Sequence, residues 1–213
     1  MSSKARLWFG ITAIVALAAI VIQIVAVVPA HGPYPTVTGR VANLFAYFTI
    51  ISNVLVLVTS AAIARGRAAS ALMRVLWLDA LVGIVVTGVV YQVALAGLTE
   101  LHGLNLVADI LLHRVTPVLC VVGWLFFAPR VLEWRTVAWS LVYPLGWLVF
   151  TLIRGSLDGW YPYPFINADK LGYGQISLNC LLIGVFFIAL ASGAKAADRL
   201  LTRAPGEMRS ADR

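Results

Sequence analysis

The chain has 213 residues, 61% of them hydrophobic and 12% charged, with a mean hydropathy of +0.92. Soluble domains are nearer half apolar and a quarter charged, so the composition excludes a water-soluble globular protein and points to an integral membrane protein. The net charge of +7 does not signal a nucleic-acid partner, because the basic residues gather at alternate ends of the apolar runs instead of forming one patch.

A crossing needs about 20 apolar residues to span about 30 Å of hydrocarbon. Six runs qualify: Leu7–Val28, Val41–Ala64, Ala71–Leu95, Leu104–Ala128, Val137–Ile153 and Tyr173–Gly193. The first follows MSSKAR, but it is too long for a signal-peptide core and five more follow, so it reads as an uncleaved helix. The ten-residue alternation of a transmembrane β-barrel is absent. The expected fold is all-α: a polytopic six-helix transmembrane bundle over residues 5–196 with a basic tail at 197–213. Lys4, Arg6, Arg65, Arg67, Arg74, Arg130, Arg135, Lys195, Arg199, Arg203, Arg209 and Arg213 flank one side, whereas only Arg40, Arg154 and Lys170 flank the other. The positive-inside rule then puts both termini in the cytosol, with the protein in the cell (inner or plasma) membrane.

The second run carries Asn43, Thr49, Ser52 and Asn53 through apolar sequence, and such groups need a partner or a wet cavity in hydrocarbon. Thr49 and Asn53 are four apart and share a helical face. In the third run Asp79 lies deep, and Tyr91 with Gln92 sits at the outer end. The fourth run contains DILLHRVTP, with Asp109 four residues before His113 on one face. Counted along continuous helices, Thr49 lies about 12 Å below Val41 and His113 about 14 Å below Leu104, comparable depths in the outer half. Asp109 is placed to orient His113, and Arg114 to neutralise Asp79 near the midplane. Pro117 removes the partner of the His113 carbonyl, which predicts a kink and room for a cavity.

The bland readings differ in weight. A membrane threonine ordinarily bonds its own i−4 carbonyl, and a single histidine is often a satisfied core residue. An intramembrane carboxylate is harder to dismiss, since it usually marks a site or a pathway. In the outer loop RGSLDGWYPYPFINADKLGYG, the rings of Trp160, Tyr161, Tyr163 and Phe165 suit the headgroup boundary, and two prolines stiffen a possible lid. Asn179 and Tyr91 are candidates for hydrogen bonds to a head group. Cys120 and Cys180 lie in apolar runs, and no Cys/His spacing has the form of a metal site. Spacing alone leaves ester hydrolysis and proton relay both open.

Three stretches, FAYFTIISN, LLHRVTP and YPLGW…RG…GWYPYPFIN, resemble bacterial six-span membrane proteins related to the androgen-induced and androgen-dependent TFPI-regulating proteins. The resemblance covers nearly the whole chain in span order, most specifically in the Phe-Thr motif, the histidine motif and the W-x-x-YPF motif. It implies a multi-pass threonine hydrolase that cleaves fatty acid esters of hydroxy fatty acids, with Thr49 as nucleophile and His113 as base. Arg114 replaces a neutral residue of the animal pattern, which bears on substrate identity. The expected function is therefore intramembrane lipid-ester hydrolysis, with no metal or organic cofactor and with a lipid ester and the surrounding lipids as partners. Asp109 would support His113, and Asn53, Asn179 or Arg114 would supply the oxyanion donor. The rivals are a small-molecule or proton-coupled transporter and a non-catalytic membrane scaffold.

Overall fold

The computed structural model describes residues 2–29, 33–67, 70–128 and 131–203. Arg130, Arg209 and Arg213, and with them most of the expected tail, lie outside the described residues. Among the described residues the chain is helical and contains no strand. Its helices are α1 (Ser3–Val27), α2 (Val37–Leu44), α3 (Phe48–Ala64), α4 (Ala71–Val90), α5 (Gly103–Ile110), α6 (Thr116–Phe127), α7 (Trp134–Ser140), α8 (Val142–Asp158) and α9 (Ala168–Arg203). Five helical stretches are long and apolar enough to cross a membrane, or six if the bent pair α2–α3 is one span.

The outer surface explains the composition. On α1, Ala5, Phe9, Thr12, Ala16 and Ala19 are buried, while Leu7, Ile11, Ile14, Leu17 and Val21 are exposed at the same helical period. Small residues on the inner stripe let α1 approach α3, and the outer stripe is apolar because hydrocarbon is its solvent. Thr12 and Thr59 satisfy their hydroxyls on the carbonyls of Trp8 and Leu55, at 3.0 and 2.7 Å. At Gly123 the Trp8 ring comes so near that an added Cβ would stand 2.8 Å from its nitrogen, and that indole donates to Leu119 O at 3.0 Å.

The second expected span is not one helix. The chain breaks at residues 45–47, and α3 leaves α2 at 71°. A depth counted along a continuous helix from Val41 therefore does not apply to Thr49, which sits in the first turn of α3. Backbone groups freed by a break inside a bundle need partners, and Trp147 supplies one by donating its indole N–H to Ala46 O at 2.9 Å. Tyr143, one turn earlier on α8, bonds Ser52 Oγ at 2.8 Å and stacks on Phe48.

Two π-helical turns interrupt the expected third and fourth runs, Tyr91–Leu95 after α4 and Leu111–Val115 between α5 and α6. The second lies immediately before Pro117, whose ring removes a donor, so the chain adjusts by widening a turn. The helical stretch from Trp134 to Asp158 is longer than the Val137–Ile153 expected from hydropathy. The last helix begins at Ala168, passes a non-helical Gly172 (φ 73°) and continues to Arg203, beyond the apolar run.

Candidate active site

Thr49 stands where α3 begins, with the break behind it and 8% of its surface exposed. Its Oγ1 lies 3.4 Å from His113 Nε2. On the other side of the ring, His113 Nδ1 is 2.9 Å from Asp109 Oδ1 and 3.1 Å from the Asp109 carbonyl. Both acceptors at Nδ1 fix the proton there, which leaves the Nε2 lone pair facing the threonine hydroxyl. Hydroxyl, imidazole and carboxylate thus form one chain, in the order that a nucleophile, base and orienting acid require. The His113 and Asp109 side chains are 13% and 7% exposed, so the chain is shielded from bulk water.

Neighbouring groups hold this arrangement. Asn53 donates to Thr49 O at 2.9 Å and to Leu112 O at 3.4 Å, tying α3 to the turn that carries His113. The Tyr91 ring stacks on the imidazole, and its phenol interacts with the Asp109 carboxylate. Gly88 permits the close approach of α4, since a Cβ there would stand 3.1 Å from the His113 carbonyl oxygen.

Several expected roles change. Among the described residues no ion pair joins Asp79 to Arg114: Asp79 is 3% exposed with Oδ1 lacking a hydrogen bond, and Arg114 is exposed. Arg114 is exposed and Asp79 is buried, so the burial problem of Asp79 is not solved by that cation. Asn179 spends its bonds elsewhere than on Thr49: it donates to Phe165 O at 2.8 Å and accepts from Gln175 at 3.0 Å, which pins the loop between α8 and α9 to α9.

That loop divides into parts. Trp160 packs against Tyr34 and Tyr47 beneath the Arg154 guanidinium, which lies 4.5 Å from its ring. Arg154 also bonds Tyr34 Oη, Asn43 Oδ1 and Asp158, so it clamps the loop to α2. Tyr161 turns away from Thr49 into a small cluster with Ala168 and Ile176. Tyr163 goes inward: it accepts the Thr49 N–H at 3.2 Å, and its hydroxyl lies 3.2 Å from Thr49 Oγ1. Phe165 stacks on it with ring centroids 5.2 Å apart. The sequence places Tyr163 in an aromatic belt or lid and gives no contact with Thr49. The only signal for it was an aromatic held between two prolines.

A cavity of about 190 Å³ adjoins Thr49 between α4, α8 and α9, with Val86, Tyr91, Trp147, Tyr163 and Phe187 among its lining. Leu145 and Ile188 line it too, and at 58% and 46% exposure they form a rim on the apolar flank of the bundle. The walls are almost wholly apolar, as an alkyl chain requires. Among the described residues no cluster of His, Cys, Asp and Glu is arranged to hold a metal ion.

Comparison with known proteins gives no match among family models, curated proteins or solved structures. The functional reading therefore stands on the site itself.

Proposed function

We propose that this protein is an intramembrane hydrolase of lipid esters, with fatty acid esters of hydroxy fatty acids or similar esters as its substrate class. The observation that carries the reading is the chain Thr49–His113–Asp109, whose Thr49 end lines an apolar cavity. In the reaction, Thr49 Oγ1 attacks the ester carbonyl and passes its proton to His113 Nε2. The tetrahedral intermediate collapses, the alkoxide leaves with that proton, and the acyl group stays on Thr49. Water, activated by the same imidazole, then releases the fatty acid. Asp109 keeps the proton on Nδ1 and balances the imidazolium. No step calls for a metal or organic cofactor.

The acyl chain would lie in the cavity, and the ester at its Thr49 end. Positive residues on one side of the bundle support six spans with both termini in the cytosol of the cell membrane. Cysteines introduced at each end and labelled from either face test that topology.

The deciding experiment uses the purified protein in nanodiscs, a panel of long-chain esters and a fluorophosphonate probe. Turnover and labelling are expected from the wild type and neither from Thr49→Ala, with Tm little changed. His113→Ala is expected to lose turnover likewise. Turnover that survives Thr49→Ala sinks the reading.

Asp79 favours a second reading. An intramembrane carboxylate with an unbonded oxygen suits a proton-coupled transporter. Proton-linked flux in liposomes, abolished by Asp79→Asn but not by Thr49→Ala, would carry that alternative.

A further inference from the structure

Ester cleavage needs a donor for the charge that develops on the carbonyl oxygen, and that contribution is usually large. The three side chains expected from the sequence do not supply it. Asn53 spends its amide on Thr49 O and Leu112 O, Asn179 spends its own on Phe165 O, and Arg114 is exposed. The geometry points to Tyr163 as the oxyanion donor, a catalytic role that rests on the ester-hydrolase reading.

Three observations carry this. The Tyr163 hydroxyl stands 3.2 Å from Thr49 Oγ1, and an oxygen on the carbon that Oγ1 attacks lies only two bonds further on. Its own oxygen already accepts the Thr49 N–H, at the positive end of α3, so its proton remains available and is polarised for donation. Finally, the ring is held on several sides, by Phe165, Tyr47 and Trp147, which fixes the hydroxyl before substrate arrives. With the Thr49 proton directed to His113 Nε2, the Tyr163 O–H is the one left to donate between the two hydroxyls. As Oγ1 becomes bonded to the acyl carbon, the carbonyl π pair moves onto oxygen and the same O–H turns to it. No proton changes owner in that contact. Burial pushes this phenol up to about 12, which keeps it a donor throughout the working pH range.

The test compares wild type, Thr49→Ala and Tyr163→Phe in nanodiscs on a long-chain p-nitrophenyl ester. It also measures binding of a long-chain trifluoromethyl ketone, which forms a tetrahedral oxyanion adduct, and of the matching unreactive ether. Tyr163→Phe is expected to lower kcat about 100-fold with KM within a few-fold. It should weaken the ketone by a similar factor and leave the ether unchanged. Wild-type kcat in Tyr163→Phe, or equal weakening of ketone and ether, overturns the assignment while a dead Thr49→Ala preserves the hydrolase reading. A wild type that does not cleave the ester overturns both. Should Tyr163→Phe fail to fold, 3,5-difluorotyrosine at that position keeps the ring and hydroxyl but makes the phenol more acidic. An altered alkaline limb of the pH–rate profile is then expected, and an unchanged one counts against the assignment.

Discussion

Tyr91 lies face to face with His113, their ring centroids 3.9 Å apart and their planes 13° from parallel. Each ring comes from a π-helical turn, and such turns recur at functional sites because one extra residue re-aims a side chain. Stacking restrains the imidazole from rotating out of line with Thr49. Replacing Tyr91 with Leu is expected to lower kcat roughly 10-fold, a fraction of what removing a general base costs. KM should move little, and steady-state kinetics on a long-chain ester checks both parameters.

Asp109→Asn keeps shape but not charge. The imidazole then keeps only uncharged acceptors at Nδ1, the backbone carbonyl among them, and the tautomer with hydrogen on Nε2, which cannot accept from Thr49, gains population. The corresponding change in a Ser-His-Asp triad costs about 10⁴ in rate. A loss on the order of 10³ to 10⁴ is expected here, together with an intact fold by thermal melting. A loss smaller than 10-fold would show that Asp109 serves the bundle rather than the base.

Gly184 lines the cavity from α9, and a Cβ there would meet nothing within 4 Å. Gly184→Leu should therefore fold normally and occupy space meant for substrate. Long-chain esters are expected to lose about 10-fold or more in kcat/KM, in line with 1–3 kcal/mol per misfitted apolar group, while acetate esters keep theirs. Equal losses on both would remove the cavity from the mechanism.

At Gly155 an added Cβ would overlap the Tyr161 ring. Gly155→Ala is expected to destabilise the protein by about 1–3 kcal/mol, the usual range for overpacking. Combining it with Tyr161→Ala should recover part of that loss in a double-mutant cycle read by Tm.

The raised Tyr163 phenol has a stability consequence with a definite sign. Between about pH 10, where an unfolded tyrosine ionises, and about 12, the unfolded state holds fewer protons than the folded one. Stability contributed by this group is full below about pH 10 and is lost as pH rises through that window. Tm of the wild type should fall more steeply there than Tm of Tyr163→Phe.

Much of the fold could be read from hydropathy, because each apolar run must satisfy its own backbone and only a helix does so locally. The i, i+4 pair Asp109–His113 was equally legible, since a helical turn brings the two together even in its widened form. The break at residues 45–47 was not. FAYF carries neither proline nor glycine, and the carbonyl freed at Ala46 is met by Trp147, 101 residues away. Tyr163 was hidden for a related reason: an aromatic loop has the composition of an interfacial belt wherever its hydroxyls point. The expected Asp79–Arg114 pair does not form, because spacing gave their depths but not the faces on which they emerge: Arg114 is exposed and Asp79 is buried.

The rim formed by Leu145 and Ile188 lies part-way along two long apolar helical stretches and not at their ends. A substrate using that door never leaves the lipid leaflet, so its supply is a two-dimensional quantity. For a hydrolase built this way, the rate follows the mole fraction of ester among its neighbouring lipids, and diluting the vesicles in buffer leaves it unchanged.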